Sequence, residues 1–221
     1  MRRAIARLAI VGAVIASCAV SALLVATNAW SATSEAFQNA FDSFAKASAG
    51  DDSAVDAAAG AFEALRKADP ANPVLTAYAG ASIALQARVA GSPFKKMGLA
   101  EDGLALVDKS LAMLTPAHDA PIEHDTPGSL EVRFVAASTF LGVPPFMNRG
   151  ARGRKLLDEV LASPLFAKAP LPFQGSAWLR AAELARKEQR TDDARRYLNE
   201  IVSRNAPQAD RARALLKVTT S

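Results

Sequence analysis

The sequence predicts an all-α protein: a short stack of about four helical hairpins closed by a final helix. Three observations carry this. Roughly a fifth of the 221 residues are alanine, far above ordinary usage. With leucine, alanine fills long segments poor in β-branched residues, which favours helix over strand. The 12 prolines and most of the 12 glycines fall between these segments, where helix breakers belong. The order of helix, short break, helix then recurs from residue 34 to the end, as in repeat architectures.

Taken in order, helices are expected over about 34–49 and 52–69, split by Gly50-Asp51-Asp52-Ser53, which supplies ready caps. Phe37, Phe41 and Phe44 fall at i, i+4, i+7 and line one face of the first, a core-packing stripe. Asn72-Pro73 reads as cap and first residue of a helix reaching about Ala90. Ser92-Pro93 opens its partner, to about Leu114, and Thr126-Pro127 repeats the cap-and-proline start before a helix over about 128–141. Gly142 to Gly150 is a non-helical break, followed by a helix over 151–162. The last pair covers about 174–189 and 192–204, with Thr191 as cap and Asp192 and Asp193 at the positive helix end. A closing helix over about 207–217 sets Ala212, Leu215 and Leu216 on one side.

Parts of this pattern resemble tetratricopeptide repeats. In the first hairpin Ala58, Phe62, Leu65 and Pro70 match the small residue, aromatic, apolar residue and closing proline of that family's second helix. Ala79-Gly80 match the small pair where two helices touch. In the last hairpin Trp178, Ala181-Ala182, Ala194 and Leu198 follow the same pattern, with Pro207 one residue late. Small residues at a crossing allow close approach and large ones fill the gap. The match covers about half of the body, and residues 90–165 depart from it through a longer second helix and long connections. That middle stretch, from Pro93-Phe94-Lys95-Lys96 through Gly103-Leu104 to Val143-Pro144-Pro145-Phe146 and Arg149, looks like bacterial envelope-associated repeat-like proteins of no assigned activity. The resemblance implies a right-handed α-solenoid over residues 32–221.

The first 31 residues read as an address. Arg2, Arg3 and Arg7 precede 19 uncharged residues, Leu8 to Ala26, and then Thr27-Asn28-Ala29-Trp30-Ser31-Ala32. A basic start, an apolar run and small residues at a cut after Ala29 or Ser31 make a secretory signal. The run also has the length of a membrane anchor, and Ile15-Ala16-Ser17-Cys18 looks like a lipobox with Cys18 as the lipidated residue. All three put the body in the periplasm or on the outer face of the cytoplasmic membrane, with membrane attachment only through this segment. The three arginines also supply most of the net charge of +4. The remaining body is nearly neutral, and nucleic acid is disfavoured because no phosphate-binding footprint remains.

Chemistry is sparse. No nucleophile elbow, P-loop, dinucleotide fingerprint or HExxH occurs, so no enzyme and no cofactor are expected. The only histidines, His118 and His124, share the 117–125 stretch with Asp119, Glu123 and Asp125. Imidazole and carboxylate suit a divalent metal, but a proline-containing loop does not preorganise them, and an exposed inter-helix loop is the blander reading. The basic residues Arg149, Arg152, Arg154 and Lys155, with Lys95 and Lys96 elsewhere, suggest an acidic peptide or a lipid head group, against the alternative of a solvated face. Phe146 and Met147 in the Pro/Gly-flanked break form a contact knob or tuck beneath neighbouring helices. In a superhelix the first helix of each hairpin lines the concave face, which places Arg133 and then Glu183, Arg186 and Lys187 toward the groove.

The function expected is therefore a non-catalytic interaction module binding an envelope protein or peptide. Its partner-binding residues would be Arg133, Phe146, Met147, Arg149, Glu183, Arg186 and Lys187. One alternative is a carrier holding an apolar small molecule or lipid between the middle hairpins. The other is metal binding through His118 and His124.

Overall fold

Among the described residues, 34–219, the computed structural model is built of helices packed on one another, with no strand. The elements are α1 (34–48), α2 (Val55–Ala68), α3 (Pro73–Val89), α4 (Pro93–Ala112), α5 (Gly128–Gly142), α6 (Gly150–Ala162), α7 (Leu171–Lys187), α8 (Thr191–Ser203) and α9 (Ala209–Thr219). The lone extended pairing is an isolated bridge between Pro121 and Pro127. The expected signal or anchor, with Cys18, lies outside the described residues.

The caps explain most boundaries. Asn72 Oδ1 accepts from the Val74 and Leu75 amides at 3.0 and 3.3 Å, and Pro73 follows as the first helical residue. Ser92 Oγ accepts from the Lys95 amide at 3.3 Å, again with proline next. Four starts differ from expectation, the first at α5, where Pro127 rather than Thr126 is the cap residue and no side chain caps the end. Asp51 caps a short 3-10 turn, Asp52–Ala54, rather than α2 itself. Thr191 is the first helical residue of α8, after Arg190, and no side chain caps that end. Helix α7 begins at Leu171, because Pro172 fits the first turn, where no amide is needed.

Each helix packs against the next in the chain. The most extensive contacts are α3 with α4, α5 with α6, and α7 with α8, and α3 also lies against α5. The α3–α4 crossing is made by glycines. A Cβ on Gly80 would sit 2.7 Å from the Gly103 carbonyl oxygen, and one on Gly103 would sit 2.6 Å from the Gly80 oxygen. Only the absence of both side chains allows this approach, since overlapping atoms would force the backbones apart.

Helix α5 is the centre of the molecule. Leu130 joins a core of Trp178, Leu198 and Ile201. Val132 and Val135 join a core of Phe37, Phe62 and Tyr78. Ala136, Ala137 and Phe140 join a third, with Leu104 and Leu157. By contrast α8 buries only Ala194, Leu198 and Ile201, one stripe at i, i+4, i+7, and gives its charged residues to solvent. The position of α5 means that a charged residue near its first turn is deeply buried, and one is.

Candidate functional site

Glu131 is 1% exposed. Its Oε1 accepts a 2.8 Å hydrogen bond from the Tyr78 hydroxyl of α3 and lies 3.0 Å from His124 Nε2. Its Oε2 has no partner among the described residues. Around this group stand rings from three helices and a loop: Phe37 meets Tyr78 and His124 edge-on, Phe41 does the same, and Phe62 stacks on Tyr78 at 4.8 Å.

Burial decides the charge state. A carboxylate here loses its water, and Glu123 nearby adds repulsion. The Tyr78 hydrogen bond opposes both but is outweighed, so the Glu131 pKa rises from 4.5 to about 8. His124 is pushed down, chiefly by burial, with Asp125 acting weakly the other way. A charged pair would gain one Coulomb contact at the cost of desolvating two ions, several kcal/mol each. At neutral pH the site therefore holds a neutral carboxyl beside a neutral imidazole. The Tyr78 hydroxyl is pushed well up by burial and by Glu131, so it stays a donor.

The 117–125 stretch, read from sequence as an exposed loop, is tied down along much of its length. Asp119 Oδ1 accepts from Ser129 Oγ at 2.5 Å, the Gly128 amide donates to the Ala120 carbonyl at 3.0 Å, and Glu123 Oε1 accepts from Asn72 Nδ2 at 2.6 Å. Burial raises the Glu123 pKa against that hydrogen bond. A Cβ at Gly128 would lie 2.3 Å from Ile122 Cδ1, so any larger residue there would have to displace the Ile122 side chain. The two histidines serve different places. His118 Nδ1 accepts from the Thr115 amide at 2.9 Å and closes the turn Pro116–Asp119, while His124 turns inward to Glu131. Among the described residues no group of three or more His, Cys, Asp and Glu is placed to hold a metal ion.

The expected contact residues fall into separate places. Arg133, on α5, lines an open groove of about 510 Å³ with Asp119, Ser129, Leu130, Glu159 and Leu165. Its Nη1 donates to the Ser129 carbonyl at 3.0 Å, and its Nε is 3.9 Å from Glu159. Phe146 and Met147 divide the two readings made for them: Phe146 is 64% exposed, whereas Met147 packs on the Leu104–Phe140 core. Arg149 and Arg152 both grip Asp108, with nitrogen–oxygen distances of 2.9 and 2.5 Å, and both lie over the Phe140 ring. Arg154 pairs with Glu188, and Lys155 sits 3.9 Å from Glu159. Each residue of the basic run thus has an acidic partner, from α4, α6 or the α7–α8 turn, with Asp108 shared by two arginines.

Glu183 is taken by Arg180, at 3.5 Å, and by Arg211 of α9, at 2.7 Å. Arg186 and Lys187 are exposed at the end of α7. Among the described residues no hydrogen bond or ion pair joins this α7 group to Arg133 or to Phe146–Arg149. Glu131 and Tyr78 were not singled out from sequence. The available signal was a lone carboxylate between Leu130 and Val132, in a mostly apolar helix whose one other charge is Arg133.

Compared with family models, curated proteins and solved structures, the chain matches nothing. No helix among the described residues is long and apolar enough to cross a membrane.

Proposed function

We propose that this chain is an exported, non-catalytic interaction module, a short tetratricopeptide-like stack of four helical hairpins capped by α9. It works outside the cytoplasmic membrane and binds a protein or peptide of the cell envelope. The sequential packing of α3 on α4, α5 on α6, and α7 on α8, with α3 also beside α5, supports the repeat reading. Such stacks present extended faces to partners.

The observation that carries the binding reading is the groove beside Arg133. It is open and is lined by the apolar Ala162, Pro164 and Leu165 together with charges of both signs, Arg133, Asp119 and Glu159. An extended peptide needs this combination of apolar contact with a few orienting polar groups. The Arg133 guanidinium is held by one carbonyl and by one carboxylate at long range, so it has donors to spare for an incoming carbonyl or carboxylate.

The test is site-specific photocrosslinking in intact cells, with the photoreactive residue at Arg133 or, as a control, at exposed Arg195 on α8. One discrete adduct at 133, lost when Glu159→Lys reverses the groove rim and absent at 195, is the expected result. No adduct at 133, or the same adducts at both positions, refutes the groove.

A further inference from the structure

The hairpin tip between α3 and α4 plays no part in the groove, and its chemistry differs from the rest of the surface. Residues 91–97 are all exposed, and the first buried residue of α4 is Ala100. At 1.5 Å per residue, the start of α4 lies about 10 Å along the helix from Ala100, its first buried residue. Phe94, near the apex, is 93% exposed, the highest exposure among the large apolar residues described, with Val89 and Met97 at 39% beside it. A phenylalanine so fully in water on a helix start has no folding role, because it buries nothing.

The charge at the tip is one-sided. No Asp or Glu occurs from residue 70 to residue 100. Arg88 is committed to Asp52 and to the Ala47 carbonyl, both at 2.9 Å. Lys95 and Lys96 have no ion pair among the described residues, and the nearest acids along the helix, Glu101 and Asp102, begin five residues further on. This separates the two lysines from Arg149, Arg152, Arg154 and Lys155, each of which has an acidic partner.

We propose that this tip docks onto an anionic lipid surface, with Phe94, flanked by Val89 and Met97, entering the interfacial region while Lys95 and Lys96 meet the head groups. Charge complementarity selects the occupant: residues 91–97 carry two lysines and no acid, and Asp52, the acid packed against the end of α3, is already paired with Arg88, so the tip fits a negative surface. Shape selects lipid over an acidic protein. A stable protein interface needs about 20–30 residues a side, whereas seven exposed residues on a convex point offer no pocket and no flat face. A bilayer imposes no such requirement, since it accommodates a single apolar knob and lets lysine stems lie along the boundary with their ammonium groups in water. The docking is independent of the groove beside Arg133 and of the fate of the N-terminal segment.

The experiment uses the full chain carrying Cys18→Ser and Gly91→Cys, with an environment-sensitive fluorophore on the new thiol. Position 91 lies at the tip, and a side chain there meets nothing within 4 Å. A second chain carries the fluorophore at Arg195→Cys on α8. Each is mixed with vesicles of phosphatidylcholine alone, or containing about one-third phosphatidylglycerol, with quencher-bearing lipids. The expected result is a blue shift and lipid quenching at position 91 on anionic vesicles only, and none at 195. Each lysine near such a surface contributes about fivefold to partitioning, so Lys95→Glu with Lys96→Glu lowers the inserted-to-free ratio at least about thirtyfold. Phe94→Ser, a change at a fully exposed position, abolishes the quenching without altering the helical circular dichroism. A silent fluorophore at 91, equal responses on both vesicle types, or quenching that survives the variants overturns the proposal. A response to soluble poly-glutamate without one to vesicles overturns it in favour of an acidic protein.

Discussion

Replacing Glu131 by glutamine tests the central electrostatic statement about this fold. The carboxyl has a pKa of about 8 in the folded protein and 4.5 when exposed. Below 4.5 both states hold the proton, and the stabilising contribution is fully present. As pH rises toward 8 the unfolded chain releases the proton while the folded one keeps it, so stability is progressively lost. The slope approaches 1.4 kcal/mol per pH unit, or roughly 3 kcal/mol between pH 5 and 7.5. Glutamine keeps an oxygen for Tyr78 and His124 and cannot ionise, so the slope disappears. Its amide takes the place of the unpartnered Oε2 and costs a pH-independent amount of about 1–3 kcal/mol at most.

The assay is urea denaturation of wild type and Glu131→Gln at pH 5, 6, 7 and 8, followed by circular dichroism. The variant is expected to be equal or less stable at pH 5 and to gain steadily on wild type above it. The midpoint difference should change by roughly 1–3 M urea across the range, for slopes of about 1–3 kcal/mol per M. His124 contributes with the opposite sign. Its depressed pKa gives stability that is present above 6.5 and lost as pH falls through that value, so His124→Gln in both backgrounds isolates the Glu131 slope. A stability difference independent of pH would refute the neutral carboxyl. A variant that loses ground as pH rises would show instead a carboxyl whose folded pKa lies below 4.5.

Other perturbations have definite signs. Gly80→Ala should lower stability by about 1–3 kcal/mol, because steric overlap with Gly103 and Val107 outweighs alanine's helix propensity. Gly60→Ala, where nothing lies within 4 Å, should raise stability by up to about 1 kcal/mol, and thermal unfolding of the pair checks both. Asn72→Ala removes the α3 cap and the Glu123 donor together, so a loss of about 1–2 kcal/mol in chemical denaturation is expected. Phe146→Ser should leave stability within about 0.5 kcal/mol, whereas Met147→Ala should cost more, the neighbouring residues differing in burial alone.

The helices were legible in the sequence because their signals are local. Asn72-Pro73 and Ser92-Pro93 mark starts through the chemistry of two adjacent residues, and alanine and leucine carry propensity wherever they stand. The Phe37–Phe41–Phe44 stripe was readable as core for the same reason, a period of 3.6 visible in one segment. The site was not, because what makes Glu131 unusual is assembled from distant pieces. Tyr78 is 53 residues away, and the aromatic wall comes from the first helix. Nor does a sequence show that Asp108, on α4, will neutralise Arg149 and Arg152, so their charges counted as free until the packing paired them.

The two surface features and the buried site have a common origin in α5 and the helices it touches. Most of α5 is apolar and expensive to solvate, so the helix packs against α3, α4 and α6, and Glu131 is enclosed with it. Burying a carboxyl that must stay neutral weakens the fold as pH rises, a cost that a simple packing residue such as glutamine or leucine would avoid. The same helix carries Arg133 two residues on, where the chain has turned from the core to the groove. Any ligand that presses on the groove wall therefore bears on a helix whose other side holds a proton-sensitive group. If partner binding at Arg133 shifts α5, its affinity should vary with pH in wild type and not in Glu131→Gln. A binding isotherm at pH 6 and 8 for each protein decides it, and equal pH dependence in both would disconnect the two faces of α5.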